Sequence, residues 1–182
     1  ILTAAVLKLY PSPKDVQTAF AGLTSLDSSI NLLTLSRAAS GDAVSSFELI
    51  PRIGLDNALK HISGTIDPLQ TSHEWYALVE FSGARADGNM RDCMETMLAE
   101  AAELNLIKDA TIAVSEKQRE EIWHIREAMV EAQPFEGASV HHDVSVPVNR
   151  VPDLIRTAID AVSEYVPGVR PVAFGHLGDG NV

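Results

Sequence analysis

The sequence predicts an α+β sandwich, one antiparallel-rich sheet covered by helices. Three observations support this. Strand-like and helix-like segments alternate along the chain in two groups, 1 to about 81 and about 82 to 182, each with roughly three strands. With 182 residues and 46% hydrophobic composition, the chain can bury one well-packed domain or two small fused ones. No stretch is long enough to be a linker between independent domains, and no short-period repeat is present.

Each element has its own local signal. Leu2 to Tyr10 alternates loosely, is rich in β-formers and is closed by Pro11 and Pro13, so it reads as a first strand. Helical patterns follow from Lys14 to Gly22 and from Leu26 to Ser40, where Gly41 is a suitable stop. Ser45 to Ile50 reads as a strand ended by Pro51, and Ile53 to Ile62 as a weaker helix. Trp75 to Phe81 is the clearest strand, bounded by Ser82 and Gly83. Asp87-Gly88-Asn89 reads as a plain turn before a helix from Met90 to Leu104, rich in Met, Leu, Ala and Glu. Ala110 to Val114 reads as a short strand. Ser115 then caps a helix from Glu116 to about Ala132, with Gln118 three positions after the cap. Val140 to Val146 is expected as a strand, Arg150 to Tyr165 as a helix with Pro152 near its start, and Val172 to Phe174 as a last strand.

Composition excludes several classes of function. Fourteen basic against 25 acidic residues give a net charge of −11, the wrong sign for a nucleic-acid surface. No run approaches the ~20 apolar residues a membrane span needs. The single cysteine, Cys93, allows no internal disulfide and suits a reducing compartment, so a cytoplasmic location is expected. Asp92 and Glu95 beside it favour an inert thiol. The start lacks Met and the last eight residues break off within a glycine-rich motif, so a fragment is expected.

Three clusters can carry chemistry. Arg126 has Ile122, Trp123, Met129 and Val130 as its helical neighbours, all apolar, so it points where the helix packs. A buried guanidinium needs an anion. That anion is either an internal carboxylate or a substrate carboxylate held bidentately. In the second cluster, alternation would put His141, Asp143 and Ser145 on one polar face and make His142 a half-buried packing residue. The third is the terminal Gly175-His176-Leu177-Gly178-Asp179-Gly180-Asn181, where glycines would let the backbone turn tightly or a ligand approach closely, and His176 could ligate a metal or exchange a proton. It is neither a dinucleotide fingerprint nor a P-loop. Glu48 and Glu80 sit within strands and could face a partner, whereas His61 and His73 sit beside loops with nothing nearby in sequence to make a site.

Four segments occur in a family-like order: residues 1–9, Ile122 to Glu127, His142 to Val148, and Gly175 to Asn181. On them the chain resembles, over essentially its whole length, the C-terminal substrate-binding domain of FAD-linked oxidases of the vanillyl-alcohol-oxidase type. Within these it is most similar to the D-2-hydroxyacid dehydrogenases. The resemblance implies a ferredoxin-like fold capping a flavin domain, with FAD bound mainly by that other domain. It implies oxidation of a D-2-hydroxy acid of the D-lactate, glycolate or D-2-hydroxyglutarate class to the 2-oxo acid. Arg126 would clamp the substrate carboxylate. His141, standing where the family often has Lys, would be a second substrate contact, and Val130 stands where some members have Thr. Asn181 is the cofactor-side candidate. His176 would be the first ligand of a divalent metal, usually zinc, with the other ligands beyond Val182. The expected partners are the hydroxy acid, the flavin domain, an unspecified electron acceptor and a second copy in a homodimer. The 182 residues alone are expected to be inactive. Two rival readings are a small-acid-binding regulatory module and a metal-dependent hydrolase.

Overall fold

A computed structural model describes residues 3–8, 12–86 and 89–182. The chain runs β1 (Asp15–Leu23), α1 (Ser28–Ser40), β2 (Val44–Pro51), α2 (Arg52–His61), β3 (Trp75–Gly83), α3 (Asn89–Glu103), β4 (Ile107–Ile112), α4 (Glu116–Ala132), α5 (Val151–Tyr165) and β5 (Gly175–His176). The sheet order is β4-β1-β3-β2-β5, and each neighbouring pair is antiparallel. Its first four positions come from two interleaved units, β1–α1–β2 and β3–α3–β4. Each unit leaves a gap that the other unit's first strand fills. This is the α+β, ferredoxin-like arrangement expected.

Both faces of the sheet are covered. Alternation along β3 sends Trp75, Ala77, Val79 and Phe81 into the core under α1 and α3, which also holds Leu32, Leu33, Met94 and Met97. Tyr76 and Leu78 point the other way, into a second core with Leu55, Ala58, Ile122, Ile125 and Met129 of α2 and α4. Trp75 and Tyr76 are therefore both core residues. Strands buried on two faces lose the polar alternation that would mark them in a sequence.

β1 shows the consequence. The helix expected over Lys14 to Gly22 is in fact this strand, paired with β3 on one side and β4 on the other. Ala19, Phe20 and Ala21 are 0% exposed. Alanine's helix preference is a few tenths of a kcal/mol per residue, and two full ladders of pairing outweigh it. Gly22 has a packing role here, since a Cβ would lie 2.2 Å from the ring of His73. His73, featureless in the sequence, is thus the cover over the central strand.

Other expectations move or fail for similar reasons. Thr3 to Lys8 carry no regular structure and are exposed, so no strand forms there; Leu2, Leu9 and Tyr10 lie outside the described residues, as do Asp87 and Gly88 of the expected turn. The fourth strand starts at Ile107 instead of Ala110, because its register is set by pairing Ile107 to Leu23 and Ile112 to Ala19. Val140 to Val146 forms no strand: pairing is confined to a bridge at Ser145 and Asn181, with backbone hydrogen bonds from Val144 and Val146 to Val182 and Gly180, and Val140 to Asp143 carry no regular structure. His142 is accordingly exposed, not half-buried. Val172 to Phe174 is irregular, and pairing begins at Gly175.

The helix signals held better. Gly41 ends α1 in the left-handed conformation, φ 63°. Ser115 Oγ accepts from Gln118 N at 3.3 Å, and the Gln118 side chain accepts from Val114 N at 2.8 Å. α3 takes its first-turn acceptor from far away: Asp15 Oδ2 on β1 accepts from Met90 N at 3.1 Å. No helix among the described residues is long and apolar enough to cross a membrane.

Candidate functional site

The site forms where α4 crosses the β2 side of the sheet. α4 presents Arg119, Trp123 and Arg126 along one stripe, at helical spacings of four and three. Beneath them, β3 and β2 each bring one carboxylate to the same face, Glu80 and Glu48, both buried. A carboxylate taken from water needs hydrogen-bond donors to offset its desolvation.

Glu80 is fully supplied. Its Oε2 accepts from Thr18 Oγ1 at 2.8 Å, Trp123 Nε1 at 2.8 Å and Arg119 Nε at 3.0 Å, and Ser45 Oγ lies 3.4 Å from Oε1. The hydrogen bond from Glu80 holds the Arg119 guanidinium charged, above its ordinary pKa. This cluster ties α4 to three strands.

Glu48 is supplied differently. Its carboxylate is 2% exposed. Oε2 accepts from Arg126 Nε at 2.9 Å, and Oε1 lies 2.5 Å from His176 Nδ1. His176 is there because β5 pairs Glu48 directly across from it. Phe174, just before β5, puts its ring 4.7 Å from the guanidinium carbon of Arg126, a cation–π contact. Arg126 is therefore fixed by one N–H and one face, and its side chain is 15% exposed. Among the described residues no partner is found for its Nη1 or Nη2. The internal carboxylate that spacing alone demanded is Glu48, and the terminal fork remains available.

β5 stays close because of the glycines around it. A Cβ on Gly175 would lie 2.3 Å from the Asn181 carbonyl oxygen, and one on Gly180, at φ +83°, would lie 2.1 Å from Val146 O. These two glycines serve the loop's own packing, the tight backbone turn that was one of the two uses expected of them. Asn181 is held in the same way: its Oδ1 accepts from Ser145 Oγ at 3.0 Å.

Arg126 and His176 are thus brought together, while His141 is not. It lies exposed in the irregular 138–144 stretch, its Nε2 2.9 Å from Ser139 Oγ, with no described bond to Arg126, Glu48 or His176. Sequence reasoning marked Glu48 as a strand carboxylate that could face a partner without naming Arg126 and His176 as that partner, and it missed Phe174. Glu48 did leave a signal, a charge flanked by Phe47, Leu49 and Ile50 in a strand. Phe174 left none.

Beside the site a cleft of about 240 Å³ opens at the sheet edge, with Arg37, Phe47, Glu48, His176 and Asp179 in its wall; Arg126 does not line it. That volume is below the usual range for drug-sized ligands and too small for a dinucleotide. FAD is not cradled by residues of this kind. A metal centre fares no better. Among the described residues no three His, Cys, Asp or Glu side chains could hold an ion together. Among the described residues the acidic side chain bonded to His176 is Glu48, and that carboxylate already accepts from Arg126. These residues do not fit a metal centre by themselves.

Comparison with known proteins decides the family. Residues 12–182 match the family described as FAD linked oxidases, C-terminal domain. The chain belongs to that family. FAD-linked oxidase relatives include the mitochondrial D-2-hydroxyglutarate dehydrogenase of Arabidopsis thaliana, 29% identical over 182 residues, all of this chain and 32% of that protein. The same-named enzyme of Rattus norvegicus is 30% identical over 185 residues, covering 100% of this chain and 33% of its own. A Schizosaccharomyces pombe protein bearing a mitochondrial D-lactate dehydrogenase name is 28% identical over 180 residues, 93% of this chain and 34% of its own. The chain spans about a third of the length of these curated relatives.

Proposed function

We propose that this FAD-linked oxidase domain serves the oxidation of a D-2-hydroxy acid to its 2-oxo acid, with Arg126 receiving the substrate carboxylate. The observation that carries the reading is the state of Arg126. One N–H is anchored on Glu48, one face rests on Phe174, and the Nη fork has no described partner. A guanidinium held this way loses little freedom when it meets a carboxylate, and its planar fork matches two oxygens at once. The relatives' names supply the substrate class, 2-hydroxy acids.

Bound by a flavin domain, FAD would supply the hydride acceptor that such an oxidation requires. This chain's part is to bind and orient. Arg126 holds the carboxylate end, and His176, on the same internal carboxylate, sits beside it with a 56% exposed side chain. His141 is kept as a second substrate contact only on the assumption that the 138–144 stretch moves toward Arg126 when substrate is present. Asn181 is the proposed cofactor-side contact. Zinc ligation through His176 would need donors that the described residues do not supply. A flavin domain, an electron acceptor, a homodimer and a cytoplasmic location complete the proposal, the last resting on the lone Cys93.

The test uses the full-length protein with D-lactate, glycolate, D-2-hydroxyglutarate and D-malate. Arg126→Ala should lower kcat/KM for the preferred acid on the order of 10²-fold or more, the scale of two charge-assisted hydrogen bonds. Arg126→Lys keeps a cation for Glu48 but loses the fork, so it should keep the wild-type melting temperature more closely while recovering only part of the activity. An Arg126→Ala protein as efficient as wild type would remove Arg126 from the substrate site.

A further inference from the structure

We infer that Glu48 is the positioning residue of this site, one buried carboxylate that aims the Arg126 fork and selects the His176 tautomer, an inference that rests on the proposed hydroxyacid-oxidising role. The argument begins with donors and acceptors. An ionised carboxylate only accepts, and Arg126 Nε–H only donates, so the 2.9 Å contact is of one kind. At the other oxygen, His176 Nδ1 lies 2.5 Å away. Facing an acceptor, that nitrogen must carry the proton. The neutral ring is then left with its lone pair on Nε2, on a side chain 56% exposed. An outward Nε2 lone pair can accept a hydrogen bond from a substrate hydroxyl, beside the guanidinium fork that takes the carboxylate. A carboxylate behind a histidine is a common way to fix ring orientation and tautomer.

The placement of Glu48 also points to positioning more than to stability. A buried ion pair adds little net stability, because desolvation offsets most of the attraction. Glu80, on the same face one strand away, binds α4 to the sheet with four donors of its own. Glu48 instead joins a helix to a strand only two residues long. Its two partners, Arg126 and His176, come from segments 50 residues apart, and no other described side chain bonds to both.

The decisive variant is Glu48→Gln. An amide has the carboxylate's shape but offers one acceptor oxygen and one donor nitrogen. It cannot accept from both Arg126 Nε–H and His176 Nδ1–H. Arg126 cannot change its role, so the amide oxygen should turn to it and the NH₂ to His176, which must then accept at Nδ1 and move its proton to Nε2. The experiment is nitrogen NMR of ¹⁵N-histidine-labelled full-length protein with its imidazoles neutral, with Glu80→Gln as the control for a buried amide on the same face. The wild type and Glu80→Gln should show His176 protonated at Nδ1, and Glu48→Gln should show it protonated at Nε2. With this change KM for the preferred acid should rise about tenfold or more, the scale of one loosened charged hydrogen bond. A wild-type His176 protonated at Nε2 overturns the inference without any variant, and so does an unchanged tautomer in Glu48→Gln. If the tautomer reverses while no D-2-hydroxy acid is turned over by the wild type, the Glu48 linkage stands and the functional reading falls.

Discussion

Glu136 collects three basic side chains at a place where none was expected from local sequence. Lys60 Nζ lies 2.6 Å from its Oε1, His61 Nε2 lies 2.5 Å from the same oxygen, and Arg170 pairs with Oε2. Lys60, then His61 and Arg170, hold its carboxyl at about 2, well below the ordinary value of 4.5. A carboxyl whose pKa is depressed on folding stabilises the folded state above its unfolded value, and the contribution disappears as pH falls through the folded one. Glu136→Gln should therefore be less stable than wild type near neutrality. The difference between the two should shrink as pH falls from 4.5 toward about 2. Urea unfolding of both proteins across that window checks it, and a difference independent of pH would deny the carboxylate this role. His61 also stacks on Phe135 at 5.3 Å. A histidine that seemed idle thus ties α2 to the turn after α4.

Among elements, β5 and its loop show the tightest dependence on single residues. Two residues of pairing hold the strand, so its position is decided by what lies behind it. Val146 N donates to Gly180 O at 3.1 Å, and Val144 and Val182 exchange two backbone hydrogen bonds at 3.0 Å. Gly180→Ala would force a side chain into the left-handed region and against Val146 O. Strain at such a position costs about 1–3 kcal/mol, roughly 2–10 °C in Tm for a domain of this size. Scanning calorimetry of the variant measures the loss, and an unchanged Tm would mean the loop can move away freely. Gly178, where a Cβ would meet only Phe47 at 3.7 Å, should accept the same change with little effect. α4 was legible as a helix from its cap and its apolar stripe. Which carboxylates its cations meet was not, because Glu48 and Glu80 lie 78 and 39 residues away.

At the scale of the whole molecule, the sheet divides two cores, and β1 touches both. Phe20 sits in the centre of that strand, 0% exposed and stacked on Tyr76 at 5.2 Å. Phe20→Ala should cost about 3–5 kcal/mol, the lost burial plus the cavity left behind. Denaturant unfolding should show this as a lower midpoint at unchanged m, and a loss under ~1 kcal/mol would mean the two layers collapse into the gap. The net charge of −11, with Arg119 and Arg126 each paired to a buried carboxylate, is the wrong sign for a nucleic-acid face.

The α+β class, the helices α1 to α5, the strands β2 and β3, the Gly41 and Ser115 caps and the buried direction of Arg126 all follow from local pattern. Each depends on residues within a turn or two of one another, and local propensity and periodicity act at that range. The family signature in Ile122 to Glu127 and Gly175 to Asn181 is equally local. Tertiary structure alone decided the rest. It made Lys14 to Gly22 a strand, because pairing on both edges outweighs the helix preference of alanine. It left Val140 to Val146 without a strand, because only Val144 to Val146 meet backbone partners, in the terminal loop at Gly180 to Val182. It also joined Arg126 and His176 through Glu48, since a carboxylate's partner is whatever donor the fold places within about 3 Å, at any separation along the chain.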